Sequence, residues 1–228
     1  MLVIMSDLHL TDGTSGTTID ADAFNIFRER LKDLAWAASD RSVSGKQIYE
    51  PVKEIHLLLL GDILDVIRST QWLQNKVRPW DDPTSKEFIS KVRGITDAIL
   101  AHNQQGLGVF QNLGKSGVSI PANKLDTGET VMVPVFIYYT VGNHDWFYHL
   151  PGPEFDVIRG CIIQALGLAN DPREVFPHDT QEANTIRKVC EEHHVFGRHG
   201  DIFDKTNYEP PDRNRSSLGD AVVIELVP

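Results

Sequence analysis

The chain is poor in cysteine: two in 228 residues, Cys161 and Cys190, far apart and outside any Cys-x-x-Cys. That excludes a disulfide-stapled scaffold and a thiolate zinc knuckle, and both are read as free thiols of a reducing cytosol. Long apolar runs are also lacking. The longest, such as Ile55 to Leu60, falls far short of the ~20 residues that a membrane-spanning helix needs. Met1 to Met5 reads as a strand from the start, which leaves no signal peptide and makes the expected location cytoplasmic. Positive charge is scarce too: 22 Lys and Arg stand against 32 Asp and Glu, a formal net charge of -10. Sequence-independent grip on nucleic acid needs a basic footprint, so nucleic acid is not the expected partner. An anionic substrate stays admissible, because bound divalent cations would dominate the local field.

What is present is ordinary globular material, 41% hydrophobic and 24% charged, enough for one large domain with a core. Leu2 to Met5 and Ile55 to Leu60 read as buried strands. Between them Phe24, Phe27, Leu31 and Leu34 fall at helical spacing, with Asp20 or Asp22 as the cap. Strand, helix, strand predicts a βαβ unit with a parallel pair. Asp65 to Ser85 is mixed and carries Trp72 and a Pro79-Trp80-Asp81-Asp82-Pro83 turn. Lys86 to about Asn103 reads as a helix with a Phe88, Val92, Ile95, Ile99 stripe. Gly106 to Thr130 reads as a polar, Gly-rich connection holding a short hairpin. Val135 to Val141 is a third strand, Glu154 to Leu166 a helix, Asn170 to Gln181 a loop and Val195 to Arg198 a fourth strand. Tyr208 to Ser217 is a loop, and Ala221 to Val227 is apolar, as a helix or a strand. The stretch 66–130 exceeds what one crossover needs and reads as an insertion, either a lid or added surface over the site or, the plainer reading, extra peripheral helix.

Four motifs follow the apolar runs: Asp7-Leu8-His9, Gly61-Asp62, Gly142-Asn143-His144-Asp145 and His199-Gly200-Asp201. If the runs are neighbouring strands, oxygen and nitrogen donors meet at one place. Carboxylate, amide oxygen and imidazole suit divalent cations. Asp7 and His9, two apart, can grip one ion. Asp62 has two oxygens and is the natural bridge to a second, which Asn143 and His199 complete. His144 can donate a proton to a leaving oxygen. Asp145 can orient that imidazole or anchor the turn, and it is counted with His144 as a catalytic candidate. Gly-Asp alone is noise, but a given tetrapeptide with Asn and His arises by chance in a chain of this size on the order of one time in a thousand.

With Ser6-Asp7-Leu8-His9, Gly61-Asp62-Ile63-Leu64-Asp65, Gly142-Asn143-His144-Asp145 and His199-Gly200-Asp201, the chain resembles the calcineurin-like metallophosphoesterases. The resemblance implies an α/β fold over 1–228, a four-layer α/β/β/α sandwich with a dinuclear site at the strand ends. It implies two divalent ions (Mn, Fe, Zn or Ni) held by Asp7, His9, Asp62, Asn143 and His199, and a catalytic His144. The implied activity is hydrolysis of a small-molecule or lipid-linked phosphoester by a hydroxide held between the ions. The family pattern ends in Gly-His-x-His, one more His for each ion. None follows His199 here, so the resemblance implies that this part of the pattern lies beyond Pro228. Two other readings stand beside it: an interaction module that lost the chemistry, and a nuclease on the same scaffold. Asp65 and Asp204 are expected to fix ligands or turns rather than bind metal. Arg68 and Arg198 are candidate phosphate contacts, more simply solvated charges. His56, His102, His149, His178, His193 and His194 are expected to be structural, and Trp146 to belong to the core.

Overall fold

The computed structural model describes residues 1–125, 127–208 and 210–226. Three parallel strands form its centre: β1 (Leu2–Met5), β4 (Ile55–Leu60) and β7 (Val135–Thr140), in the order β1-β4-β7. The fold is therefore mixed α/β with a parallel sheet and, among the described residues, six α-helices. Leu2 pairs with His56 and Met5 with Leu59, while Ile55 pairs with Val135 and Leu60 with Thr140. The expected βαβ unit is formed: α1 (Ala21–Ser39) returns the chain from β1 to β4. Asp20 caps it by accepting from Asp22 N–H at 2.9 Å. The buried stripe of α1 is Phe24, Leu31, Ala35 and Ser39, whereas Leu34 is exposed. Phe27 is half-buried against Phe110, so of the predicted stripe only Leu34 turned outward, because the buried face follows the 3.6-residue period past Leu31 to Ala35.

Two small hairpins decorate the connections. One, β2 (Asp40–Val43) with β3 (Lys46–Tyr49), leaves no mark in the hydrophobic pattern, since its residues are mostly exposed. The other, β5 (Val118–Pro121) with β6 (Thr130–Val133), is the hairpin expected in 106–130. Before it, the expected loop is in fact helical. Helix α2 (Lys86–His102) starts at the Ser85 cap and buries the predicted Phe88, Val92, Ile95 and Ile99 stripe, and α3 (Gln104–Ser116) follows at once. Two of the glycines that made α3 look like a loop, Gly106 and Gly114, have a packing use. A Cβ on Gly106 would lie 2.6 Å from the Phe24 ring, so glycine lets α3 approach α1 closely. Tertiary contact overrides weak helix propensity here.

Helix α4 (Pro153–Leu166) begins with Pro at its first position and ends on Gly167 in the left-handed conformation, the expected start and stop chemistry. Alternate residues of the sheet enter two cores. Leu57, Leu59, Ile137 and Tyr139 belong to the large core with α1 to α4, while Leu58 and Tyr138 pack with Ile186, Val189 and Cys190 of α5 (Asn184–Glu192). Burial of both faces explains why the strands read as continuous apolar runs.

Val195–Arg198 is not a strand. It makes one antiparallel bridge, Asp179 with Arg198, beside Thr180 N–H donating to Gly197 O and Gly197 N–H donating to Thr180 Oγ1. Four residues joined by this single bridge offer too few ladder partners to extend the sheet. The apolar tail resolves as α6 (Leu218–Leu226), with Val227 outside the described residues. No described helix is long and apolar enough to cross a membrane, and both cysteines are free.

Candidate metal centre

Parallel strands deliver their C-terminal ends to one edge, where an open α/β sheet binds ligands. Asp7 lies two residues past β1, Asp62 two past β4, and Asn143 three past β7. The first two loops are then zipped together by backbone. Asp7 N–H donates to Gly61 O at 3.1 Å, His9 N–H to Asp62 O at 2.9 Å and Leu10 N–H to Ile63 O at 2.9 Å. Asp7, His9 and Asp62 adopt positive φ of 57°, 48° and 53°. Each such residue costs about 1 kcal/mol or more, and such strain concentrates at functional sites. The glycines are required for approach: a Cβ on Gly61 would lie 2.8 Å from both Gly142 N and His199 Nδ1.

All six residues named as metal or acid candidates, Asp7, His9, Asp62, Asn143, His144 and His199, line one cavity of about 570 Å³. Arg68 and Arg198 line it too. Three imidazoles are held by their Nδ1 atoms. His9 Nδ1 and His144 Nδ1 each lie 2.8 Å from a different oxygen of Asp65, and His199 Nδ1 lies 3.2 Å from Leu60 O. Asp65, fully buried, fixes both rings from behind, as expected of an outer carboxylate. The Nε2 atoms turn toward the middle. His9 Nε2 is 3.8 Å from Asp62 Oδ2, and His199 Nε2 is 3.3 Å from that oxygen and 3.2 Å from Asn143 Oδ1. No hydrogen bond among the described residues engages His144 Nε2.

Two groups of donor atoms arise, each within 4.8 Å: His9, Asp62 and His144, and Asp7, Asp62 and His199. Asp62 belongs to both, as a bridge must. The remaining donors divide differently from the expected pairing of Asp7 with His9, because Asp65 draws His9 and His144 together, their rings 4.7 Å apart edge to face. Imidazole nitrogens and carboxylate oxygens converging with their outer atoms already bonded are chemically suited to divalent cations.

The electrostatics describe a site waiting for positive charge. Burial works against a charged His144 ring, yet the hydrogen bond it donates to Asp65 and the charges of Asp65, Asp62 and Asp220 outweigh it and raise its pKa to about 9. His199 likewise overcomes burial through Asp62 and reaches about 9. Asp62 and Asp65 are desolvated but held below the usual carboxylate range by these histidines. In the metal-free protein two protonated imidazoles supply the compensating charge.

Asp145 does not line the cavity. It is fully buried behind the turn, where Oδ2 accepts from Ile63 N–H at 2.9 Å and Tyr139 O–H at 2.5 Å, and Oδ1 from Gly142 N–H at 2.6 Å. Of its two expected roles the structure gives it the second: it anchors the turn, and Asp65 orients His144. Burial, then the charge of Asp62, raises its pKa to about 6. Asp204 accepts from Thr206 and forms a turn. The fourth motif is pinned by Arg213, whose Nη2 donates to Asp201 at 2.6 Å.

The other histidines bond elsewhere: His56 to Glu54, His102 to Thr17, His149 to Phe176 O, His178 to Asn214 and His193 to Val189 O. Asp220 was not anticipated. Its signal is present, since Ser217 and Asp220 form a capping box at the start of α6, with Ser217 N–H and Oγ–H each 3.0 Å from the carboxylate. Family models, curated proteins and solved structures, compared with this chain, give no match.

Proposed function

We propose that this chain carries the dinuclear centre of a metal-dependent phosphoester hydrolase of the calcineurin-like type. The observation that carries the reading is the convergence of four separate loops on Asp62, with the three histidines held by Nδ1. On this reading the parallel sheet and its helices form one half of the four-layer α/β/β/α architecture, and the protein is cytoplasmic. Asp7, His9, Asp62, Asn143 and His199 would hold two divalent ions, with Asp62 shared between them. Bound ions would acidify water and neutralise phosphoryl charge. His144, fixed by Asp65 with Nε2 free, keeps a proton at neutral pH and passes it to the leaving oxygen. Arg68 lies on the cavity wall, its Nε 3.4 Å from Asp65, where its guanidinium can also meet a phosphoryl oxygen. The carboxylates of Asp7 and Asp62 repel an anionic ester until cations are in place, so metal binding must precede substrate binding.

The test is Mn²⁺ titration by calorimetry, followed by hydrolysis of an aryl phosphate diester, an aryl phosphate monoester and single-stranded DNA. Two ions per chain and cleavage of an aryl ester support the reading. Absence of metal binding removes it, and cleavage of DNA alone turns it into a nuclease.

A further inference from the structure

The Pro79-Trp80-Asp81-Asp82-Pro83 turn has no part in the metal centre, yet it walls a cavity of about 740 Å³, within the range of small-molecule sites. The opposite wall comes from residues 212–221, and Trp146 closes it from the turn that carries His144. No residue is shared with the lining of the metal cavity.

Three chemical features coincide here. Trp80, in the cavity wall, is 47% exposed. Trp146 is only 3% exposed, and its indole N–H has no hydrogen-bond partner. A buried N–H left unpaired costs about 1–3 kcal/mol and asks for an acceptor. Around the tryptophans stand three carboxylates, those of Asp81, Asp82 and Asp212, and the further donors Arg215, the Asn214 amide and the Ser216 hydroxyl, the last without a hydrogen-bond partner. The three carboxylates each bond a nearby backbone N–H through one oxygen, which leaves the other oxygen to a guest.

This inventory selects among ligands. An anion would face three carboxylates against one guanidinium. A simple cation would suit the carboxylates and the indole faces but would leave the Trp146 N–H unsatisfied and meet Arg215. A neutral ring bearing several hydroxyls serves both kinds of group. Each hydroxyl donates to a carboxylate and accepts from Arg215, the Asn214 amide or the Ser216 hydroxyl, all in the cavity wall. The weakly positive C–H face of a pyranose packs on the negative face of Trp80.

We propose that this cavity is a saccharide-binding site, taking a neutral polyhydroxylated ring against Trp80. It is independent of whether the metal centre hydrolyses an ester.

The test is ligand-observed saturation-transfer NMR and calorimetry on the full chain. The probes are the methyl glycosides of glucose, galactose, mannose and N-acetylglucosamine, with uridine and choline as alternatives. At least one glycoside is expected to bind, and Trp80→Ala and Arg215→Ala are each expected to weaken it about tenfold (~1.4 kcal/mol). Both side chains are exposed, so both variants should fold, which circular dichroism checks. Binding of no glycoside up to the solubility of the probes overturns the proposal. So does glycoside binding that both variants leave unchanged, which would place it elsewhere, or binding of uridine or choline alone.

Discussion

Asp65→Asn tests the electrostatic account of the site without touching a metal ligand. The change keeps shape and removes charge. Wild-type Asp65 accepts one N–H from His9 and one from His144, each at 2.8 Å. An asparagine offers one oxygen, so it can keep one of the two bonds. It also removes the two largest influences that raise the His144 pKa, leaving burial to oppose Asp62 and Asp220. A folded pKa of about 9 against 6.5 unfolded is worth about 3 kcal/mol. Because the folded value is raised, that stability is fully present below pH 6.5 and is lost as pH rises through 9. In the metal-free protein the variant should therefore be less stable by roughly 3 kcal/mol at pH 6. At pH 10, with the imidazole neutral in both, the gap should shrink to about 1 kcal/mol, the worth of one lost neutral hydrogen bond. Urea unfolding in chelator at several pH values measures both. His199 also titrates near 9, so the variant keeps part of the wild-type slope. A destabilisation equal at pH 6 and pH 10 would refute the reasoning, because the Asp65–His144 interaction would then carry no charge.

Asp62→Asn should abolish binding of both ions by calorimetry, and an unchanged stoichiometry would show that Asp62 is not the bridge. His144→Ala should retain both ions and lose rate, most strongly for esters with poor leaving groups; an equal loss for good and poor leaving groups would argue against proton donation. Mn²⁺ affinity should rise about tenfold per pH unit between about pH 7 and 9, because the His199 proton must leave before Nε2 can bind. Calorimetry in buffers of different ionisation heat reads that proton release, and a flat pH profile would contradict it. Gly61→Ala should cost about 1–3 kcal/mol by thermal or urea unfolding and disturb metal binding, since its Cβ meets Gly142 and His199 and its φ is +80°.

Chemistry written as short local motifs was legible from the chain alone. Asp7, His9, Asp62, Asn143, His144 and His199 were named from residue type and from their position after apolar runs, and all six line one cavity. The runs themselves were readable because a strand buried on both faces must be continuously apolar. Helix α2 was readable because a half-buried helix repeats every 3.6 residues. Helix α3 was not, because Gly106 serves contact with Phe24 and Gly114 contact with Gly167, and a residue chosen for a distant neighbour looks like a loop to its own neighbours. The hairpin 40–49 was hidden for the opposite reason, having almost no buried face to leave a pattern.

Tertiary structure alone decided which groups act through which. Nothing local says that Asp65 holds two histidines from loops 56 and 79 positions away, or that Asp145 faces the backbone instead of its neighbour His144. Those pairings depend on the parallel order β1-β4-β7, which places three loop ends side by side, and on burial, which forces each carboxylate to the nearest donors. Sequence supplied the inventory of donors and acceptors. Packing assigned the partners, since hydrogen bonds form across space between residues whose separation along the chain carries no information.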